Sequence, residues 1–196
     1  MSKHLDLGCG PVPRNPYRRR QLFGVDIAPS SSTDAEIRRA NLAIEPIPFE
    51  SSSFDSVSAF DFLEHVPRLL PMAGGSSTRF PFVELMNEIS RVLKQGGLLY
   101  ALTPCFPAAA AFSDPTHVNI MTLKTHTYFT GEQPLARMYG FTGHFSKRRV
   151  EWGVHKDSLD PLTEPTFAQR FRRLNYRLNG KFAHMVWEFE CTKPGA

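Results

Sequence analysis

The chain has 196 residues, 41% of them hydrophobic and 21% charged, with a formal net charge of +4. That balance suits one globular domain large enough to bury a sound core, and it excludes a disordered or low-complexity chain. No apolar run approaches the roughly 18 residues of a membrane span. Three scattered cysteines, Cys9, Cys105 and Cys191, make no C-x-x-C pair, which fits a reducing compartment and gives no metal signal. Met1 to Gly10 enters an apolar segment at once, so no leader segment is expected and a cytoplasmic location is. Charge is uneven. Residues 1–130 carry 12 basic and 12 acidic side chains, whereas residues 131–196 carry 11 and 7, which is the whole excess.

In chain order, Leu5-Asp6-Leu7 reads as a short strand that breaks into the turn Gly8-Cys9-Gly10. Two glycines one residue apart let the backbone approach a ligand where a side chain would block it. Leu22 to Ile27 reads as a second strand ending in Asp26, an acid able to accept both hydroxyls of a ribose. In an open parallel sheet both features lie at the carboxyl edge, where nucleotides bind. A dinucleotide fingerprint needs a third glycine and an immediate helix to seat a pyrophosphate. Here Pro11, Pro13 and Pro16 follow the turn, each removing a backbone donor, so a nucleoside cofactor without phosphates fits better.

Residues 29–36 read as a Ser-rich loop with room for one helical turn, and Ile37 to Leu42 as a short third strand. Ile44 to Phe49 is extended around two prolines. Phe54 to Phe60 alternates as a fourth strand does. Residues 67–79, rich in Gly, Pro and Ser, read as a loop and a flap near the site. Pro81 suits the first position of a helix. Phe82, Met86, Ile89 and Leu93 mark its apolar face, and Gly96 closes it. Leu98 to Leu102 is the fifth strand. Residues 144–155 and 182–193 read as the last two, with Ala183, Met185, Trp187 and Phe189 alternating in the second.

Five pieces stand in a fixed order: LDLGCG from Leu5, VDI around Asp26, Asn41-Leu42 with Pro48 to Asp55, FLEHV from Phe62, and RVLKQGG from Arg91. Together, over about residues 4–104, they resemble the motifs of class I S-adenosylmethionine-dependent methyltransferases. Gln95 stands where the family has proline, and Asn41 where it usually has aspartate. The resemblance implies a Rossmann-like α/β fold: an open, mostly parallel seven-stranded sheet with helices on both faces and an antiparallel last strand. It implies one domain, 1–196, with residues 1–104 holding the cofactor and 105–196 the acceptor. The cofactor implied is S-adenosyl-L-methionine, with S-adenosylhomocysteine as product. Asp6, Gly8, Cys9 and Gly10 then face its methionine end, Asp26 and Ile27 its ribose, Asn41 and Leu42 its adenine. The backbone carbonyl of Phe60 could accept from its amine. Plainer roles compete: turn formation for the glycines, capping for Asp6, loop fixing for Asp55, structural hydrogen bonding for Glu64 and His65, core packing for Phe60.

Beyond residue 104 the segment Asp114-Pro115-Thr116-His117-Val118 resembles a subset of small bacterial methyltransferases, some acting on saccharides or lipid-linked glycans. Methylation on oxygen of a small-molecule or glycan acceptor is therefore expected. Carbon or nitrogen transfer, or a non-catalytic cofactor-binding partner subunit, are the alternatives. In displacement from a sulfonium the cofactor supplies the reactivity, and the protein supplies alignment and, for a hydroxyl, a base. An imidazole titrates in the right range, which makes His117 the candidate base and Asp114 its orienting partner. Substrate binding and loop capping are their competing roles. A metal set of Asp114, His117 and His126 lacks a fixed ligand geometry, so no metal is expected. Residues 72–78 and 113–119 are expected to frame the acceptor at the carboxyl edge of the sheet.

Thr166 to Gly180 carries Phe167, Phe171, Leu174 and Leu178 at i, i+4, i+7 and i+11, with Arg170, Arg172, Arg173 and Arg177 around the other faces. It reads either as a surface helix packed on the sheet or as a basic face for an anionic acceptor or membrane surface. Nucleic acid rests on charge alone, since no RNA-binding module accompanies it.

Overall fold

The structure, a computed structural model, describes residues 1–29, 35–75 and 77–193. Most of the Ser-rich loop, with its expected helical turn, lies outside these residues. Strands form at β1 (Lys3–Leu7), β2 (Gln21–Asp26), β3 (Glu36–Arg39) and β4 (Phe54–Phe60). Further along are β5 (Leu70–Pro71), β6 (Thr78–Arg79), β7 (Leu93–Pro104), β8 (Phe145–Gly153) and β9 (His184–Cys191). Seven of them make one sheet in the order β3-β2-β1-β4-β7-β9-β8. The first five are parallel neighbours, and β9 runs antiparallel to both β7 and β8. The order reverses between β1 and β4, which opens the crevice at their carboxyl ends. Within residues 67–79, expected as a loop, Leu70–Pro71 and Thr78–Arg79 pair as a small antiparallel ribbon of β5 and β6.

Period-two alternation sorts the side chains onto two faces. Leu5, Leu7, Val57, Ala59, Leu99, Ala101, Trp187 and Phe189 belong to the large core. Helix α1 (Pro81–Val92) covers that face through Phe82, Met86 and Ile89, with Pro81 in its first turn, and a short α2 (Ala110–Ser113) follows β7. It stops at Val92, short of Gly96. Leu93 is buried and already extended, and it pairs with Phe54 at the start of β7. Sheet pairing thus takes over a residue whose spacing belongs to the helix stripe.

On the other face Tyr17, Phe60, Tyr100, Leu102 and Val186 cluster. Over β1 and β4 this face is covered by residues 11–20, which hold no helix, in keeping with their three prolines. Beneath that cover runs a buried polar string. Ser58 Oγ donates to Asp6 Oδ1 at 2.5 Å, and His4 reaches Ser58 with Nε2 and Ser56 with Nδ1, both at 2.8 Å. Ser58 has one proton to give, so Nε2 of a neutral His4 donates to it and Nδ1 accepts from Ser56. Burial drives His4 down to about 3, helped by the charge of Arg19. Burial pushes Asp6 up to about 6, against hydrogen bonds from the Arg14 amide and Ser58.

These two shifts act oppositely on stability. Between about pH 4 and 6 an unfolded His4 is protonated and the folded one is not, so its contribution rises with pH. Asp6 in the same window is ionised when unfolded and protonated when folded, so its contribution falls with pH. The two slopes offset each other. Asp6→Asn should leave the His4 slope bare, making stability rise with pH by up to about 1.4 kcal/mol per unit more than in wild type. His4→Gln should change the slope by a similar amount in the opposite sense. Urea unfolding across this range measures both, and parallel profiles for all three proteins would refute the linkage.

Candidate active site

The site starts where β1 ends. Gly8 and Gly10 both take positive φ, 61° and 59°, a conformation that costs other residues about 1–2 kcal/mol. Gly8 N–H donates to Val25 O at 2.9 Å, and a Cβ on Gly8 would stand 2.3 Å from the ring of Phe62. Above Gly10 the space is open. Its N–H donates to Asp26 Oδ2 at 2.8 Å, and Ala28 N–H to Oδ1 at 2.9 Å. Asp26 therefore pins the glycine turn while each oxygen keeps capacity for a further donor. Asp6 is buried behind the turn and accepts from Arg14 N–H at 2.8 Å, which fixes the far side of the loop.

Gly8, Asp26, Ile27, Asn41 and Leu42 line one cavity together with Asp61, Phe62 and His65. Asn41 Oδ1 accepts from Ala43 N–H, which leaves its amide group directed by a tight turn beyond β3. Four of the expected cofactor residues, Asp6, Cys9, Gly10 and Phe60, lie outside the lining. The Phe60 ring is buried in the second core, with the Arg14 guanidinium 4.8 Å over it. Cys9 turns its sulfur toward Gly24; burial, then the charges of Asp6 and Asp26, push its thiol up to about 12. That environment disfavours the thiolate a nucleophile needs.

Across the cavity the LEHV turn and the D-P-T-H-V segment meet. Val118 and Asn119 N–H both donate to Glu64 O at 2.9 Å, and Asn119 Nδ2 donates to Leu63 O at 3.0 Å. This clamps residues 114–119 onto the single turn Leu63–His65, at the carboxyl edge beside β4. Thr103 Oγ1 donates to Glu64 Oε2 at 2.8 Å, while burial pushes the Glu64 carboxyl up to about 7. His117 packs edge-on against His65, ring centroids 4.9 Å apart. Its side chain is only 9% exposed, and its Nδ1 is enclosed without a protein partner. Asp114 is 3.9 Å from His117 Nε2, beyond a hydrogen bond. The Asp114 carboxylate is taken by the Thr116 hydroxyl and amide, which hold it below the usual carboxylate range, and Thr116 Oγ1 also reaches His65 Nδ1 at 3.0 Å.

A second carboxylate–imidazole group was not legible in the sequence. Asp61 caps β4 with φ at +49°, in the sparsely populated left-handed region. His155 Nε2 lies 2.7 Å from its Oδ2 and His184 Nε2 3.4 Å from Oδ1. Burial alone would raise Asp61, but the hydrogen bonds and charges of the two histidines hold it low. Asp61 had one signal, since it stands at the tip of β4 as Asp26 does at the tip of β2. The histidines had none, because only the antiparallel return of β9 sets His184 opposite Pro104 and Gly153. Among the described residues, Asp61–His155–His184 and Glu64–His65–His117 are the groups whose donor atoms lie within 4.8 Å of one another.

An open sheet of this order, a glycine turn after its first strand and an acid at the tip of its second define an α/β protein built for a nucleoside cofactor. Residues 5–101 match the family described as methyltransferase domain. Among solved structures, a Haloferax volcanii putative methyltransferase in complex with the Trm112 methyltransferase activator aligns at TM-score 0.58 and 13% identity, over 98% of this chain and 83% of that one. An S-adenosylmethionine-dependent methyltransferase from Mesorhizobium loti aligns at 0.55 and 14%, over 96% and 90%. A putative sarcosine dimethylglycine methyltransferase from Galdieria sulphuraria aligns at 0.55 and 16%, over 97% and 78%. No curated protein matches the sequence. The chain is a class I S-adenosylmethionine-dependent methyltransferase, with S-adenosylmethionine as its cofactor. The cavity fits that cofactor, because the side-chain-free floor at Gly8 and the open space over Gly10 leave room beside a carboxylate, with no cluster of cations for phosphates among the described lining residues.

Asp26→Ala should weaken S-adenosylhomocysteine binding by about 2–4 kcal/mol, the sum of two hydrogen bonds to a charged group. Calorimetry measures this directly. Wild-type affinity in the variant would take Asp26 out of the ribose site.

Proposed function

We propose that the acceptor is a hydroxyl of a small molecule or glycan, methylated on oxygen, and that His117 takes its proton. The observation that carries this reading is the enclosed Nδ1 of His117, which has no protein partner and stands one ring away from His65 on the cofactor cavity. A nitrogen shielded from water and left unpaired costs stability unless something is built to meet it. When bound, the cofactor supplies a sulfonium-activated methyl group. His65 and Phe62 shape the wall between the cofactor and acceptor sides. Packing on His65 and the clamp at Glu64 O orient the His117 ring. Asp114, at 3.9 Å, supports the imidazolium by charge rather than by a hydrogen bond.

The Asp61–His155 pair is the competing base, favoured by its 2.7 Å contact and the partial exposure of His155. Variants separate the two. His117→Ala should lower kcat by about 10²–10⁴-fold, the usual worth of a positioned base, with S-adenosylhomocysteine affinity unchanged. The measurement is transfer of tritiated methyl groups into fractionated cell extract, followed by kinetics on the active fraction. A larger loss in His155→Ala, with His117→Ala active, would move the base to the second pair. A raised KM with intact kcat would make His117 a binding residue.

A further inference from the structure

Helix α3 (Phe167–Leu178) is set on the molecule with its polar side inward. A capping box opens it: Thr166 Oγ1 accepts from Gln169 N–H, and the Gln169 side chain accepts from Thr166 N–H. Arg172 Nη1 donates to Asp157 Oδ1 at 2.5 Å, and the Asp157 side chain is only 5% exposed. Arg173 Nη1 lies 3.5 Å from Glu151 on the edge strand β8. These ion pairs fix which way the helix faces, and the apolar stripe is left outside. Phe167, Phe171, Leu174 and Leu178 are 85%, 63%, 54% and 76% exposed. A surface helix ordinarily has the reverse arrangement.

The flanks of the stripe are cationic. Arg170, Arg177 and Lys181 stand beside it, and from Pro165 to Trp187 the chain has no acid. Glu164, 3.7 Å from Arg170, lies just before the helix. A second copy docked by two-fold symmetry would set these cations against their own kind with no acid between to answer them. An anionic lipid surface meets both features at once, taking the Phe and Leu side chains into its acyl boundary and the cations at its headgroups. No helix among the described residues is long and apolar enough to cross a membrane, so the contact is peripheral.

The stripe also continues toward the site. Leu174 and Arg177 share a groove with Pro107, Ala108, Trp152 and Phe182. Pro107 and Ala108 follow the carboxyl end of β7, and Phe106 and Phe112 beside them are more than half exposed. We propose that α3 lies in the surface of an anionic membrane and turns the acceptor edge of the sheet toward it. That the membrane carries the acceptor rests on the methyl-transfer reading above; the docking itself does not.

Co-sedimentation of the full chain with lipid vesicles tests the docking. It should bind vesicles of equimolar phosphatidylcholine and phosphatidylglycerol more tightly than pure phosphatidylcholine, on the order of a hundredfold for three cations near the surface. Added salt should shrink that difference. Phe167→Glu with Phe171→Glu should abolish pelleting with both lipids, and Arg170→Gln, Arg177→Gln and Lys181→Gln together should remove the preference. S-adenosylhomocysteine affinity should be unchanged in the Phe variant, which shows that it is folded. Failure of the wild type to pellet, or equal pelleting of the Phe variant, overturns the proposal. So does a wild-type dimer in light scattering that the Phe variant breaks, which would assign the stripe to a second copy. Vesicle binding without methyl transfer to any extract fraction would sink the acceptor reading and leave the docking standing.

Discussion

The rest of the structure depends on how residues 8–20 are held. In a doubly wound sheet the first crossover is normally fixed by a helix, whose own hydrogen bonds keep it in shape. Three prolines deny this chain that option, and two strand-borne carboxylates replace it. Asp26 takes the Gly10 amide at the near side and Asp6 the Arg14 amide at the far side. Between them the loop lies flat on the sheet. Tyr17 then reaches across to donate to Glu188 on β9 at 2.9 Å, tying the first crossover to the last strand. Burying a carboxylate is costly, and Asp6 tolerates it because a backbone amide and a serine hydroxyl are already aimed at it. The cofactor floor and the polar string behind it are consequences of the same substitution of side-chain acceptors for a helix.

Local features carried much of the fold in the sequence. Strand alternation, the paired glycines and the acid on the neighbouring strand are short-range, and a resemblance across residues 4–104 ordered them. What stayed illegible depends on register. The string from Asp6 through Ser58 and His4 to Ser56 exists because β1 pairs with β4 so that His4 faces Ser56 and Asp6 faces Ser58. No local pattern encodes that pairing. The same holds for Asp61, His155 and His184, which follow β4, follow β8 and begin β9. Gly96 shows the opposite failure: a clear stop signal was pre-empted when Leu93 found a strand partner.

Helix α3 separates two properties that periodicity merges. Spacing fixes which residues share a stripe, but not whether the stripe faces the sheet. That choice was made by Asp157 and Glu151, acids on neighbouring segments that hold arginines on the helix's opposite side. Ion pairs on exposed surfaces contribute little to stability, but one with a nearly buried acid can select an orientation. Here orientation decides whether hydrophobic side chains stabilise the fold or remain outside it.

The turn at residues 61–65 joins parts that the sequence keeps far apart. Its Phe62 ring fills the space under Gly8, its Leu63 and Glu64 carbonyls hold Val118 and Asn119, and its Asp61 faces His155 and His184. The floor at Gly8 and the seat of residues 118–119 are thus two sides of one five-residue keystone. A methyl group added at position 8 would push Phe62 and, through it, shift the seat of residues 118–119. Damage on one side of this enzyme is therefore inherited by the other without any residue of the second side being changed.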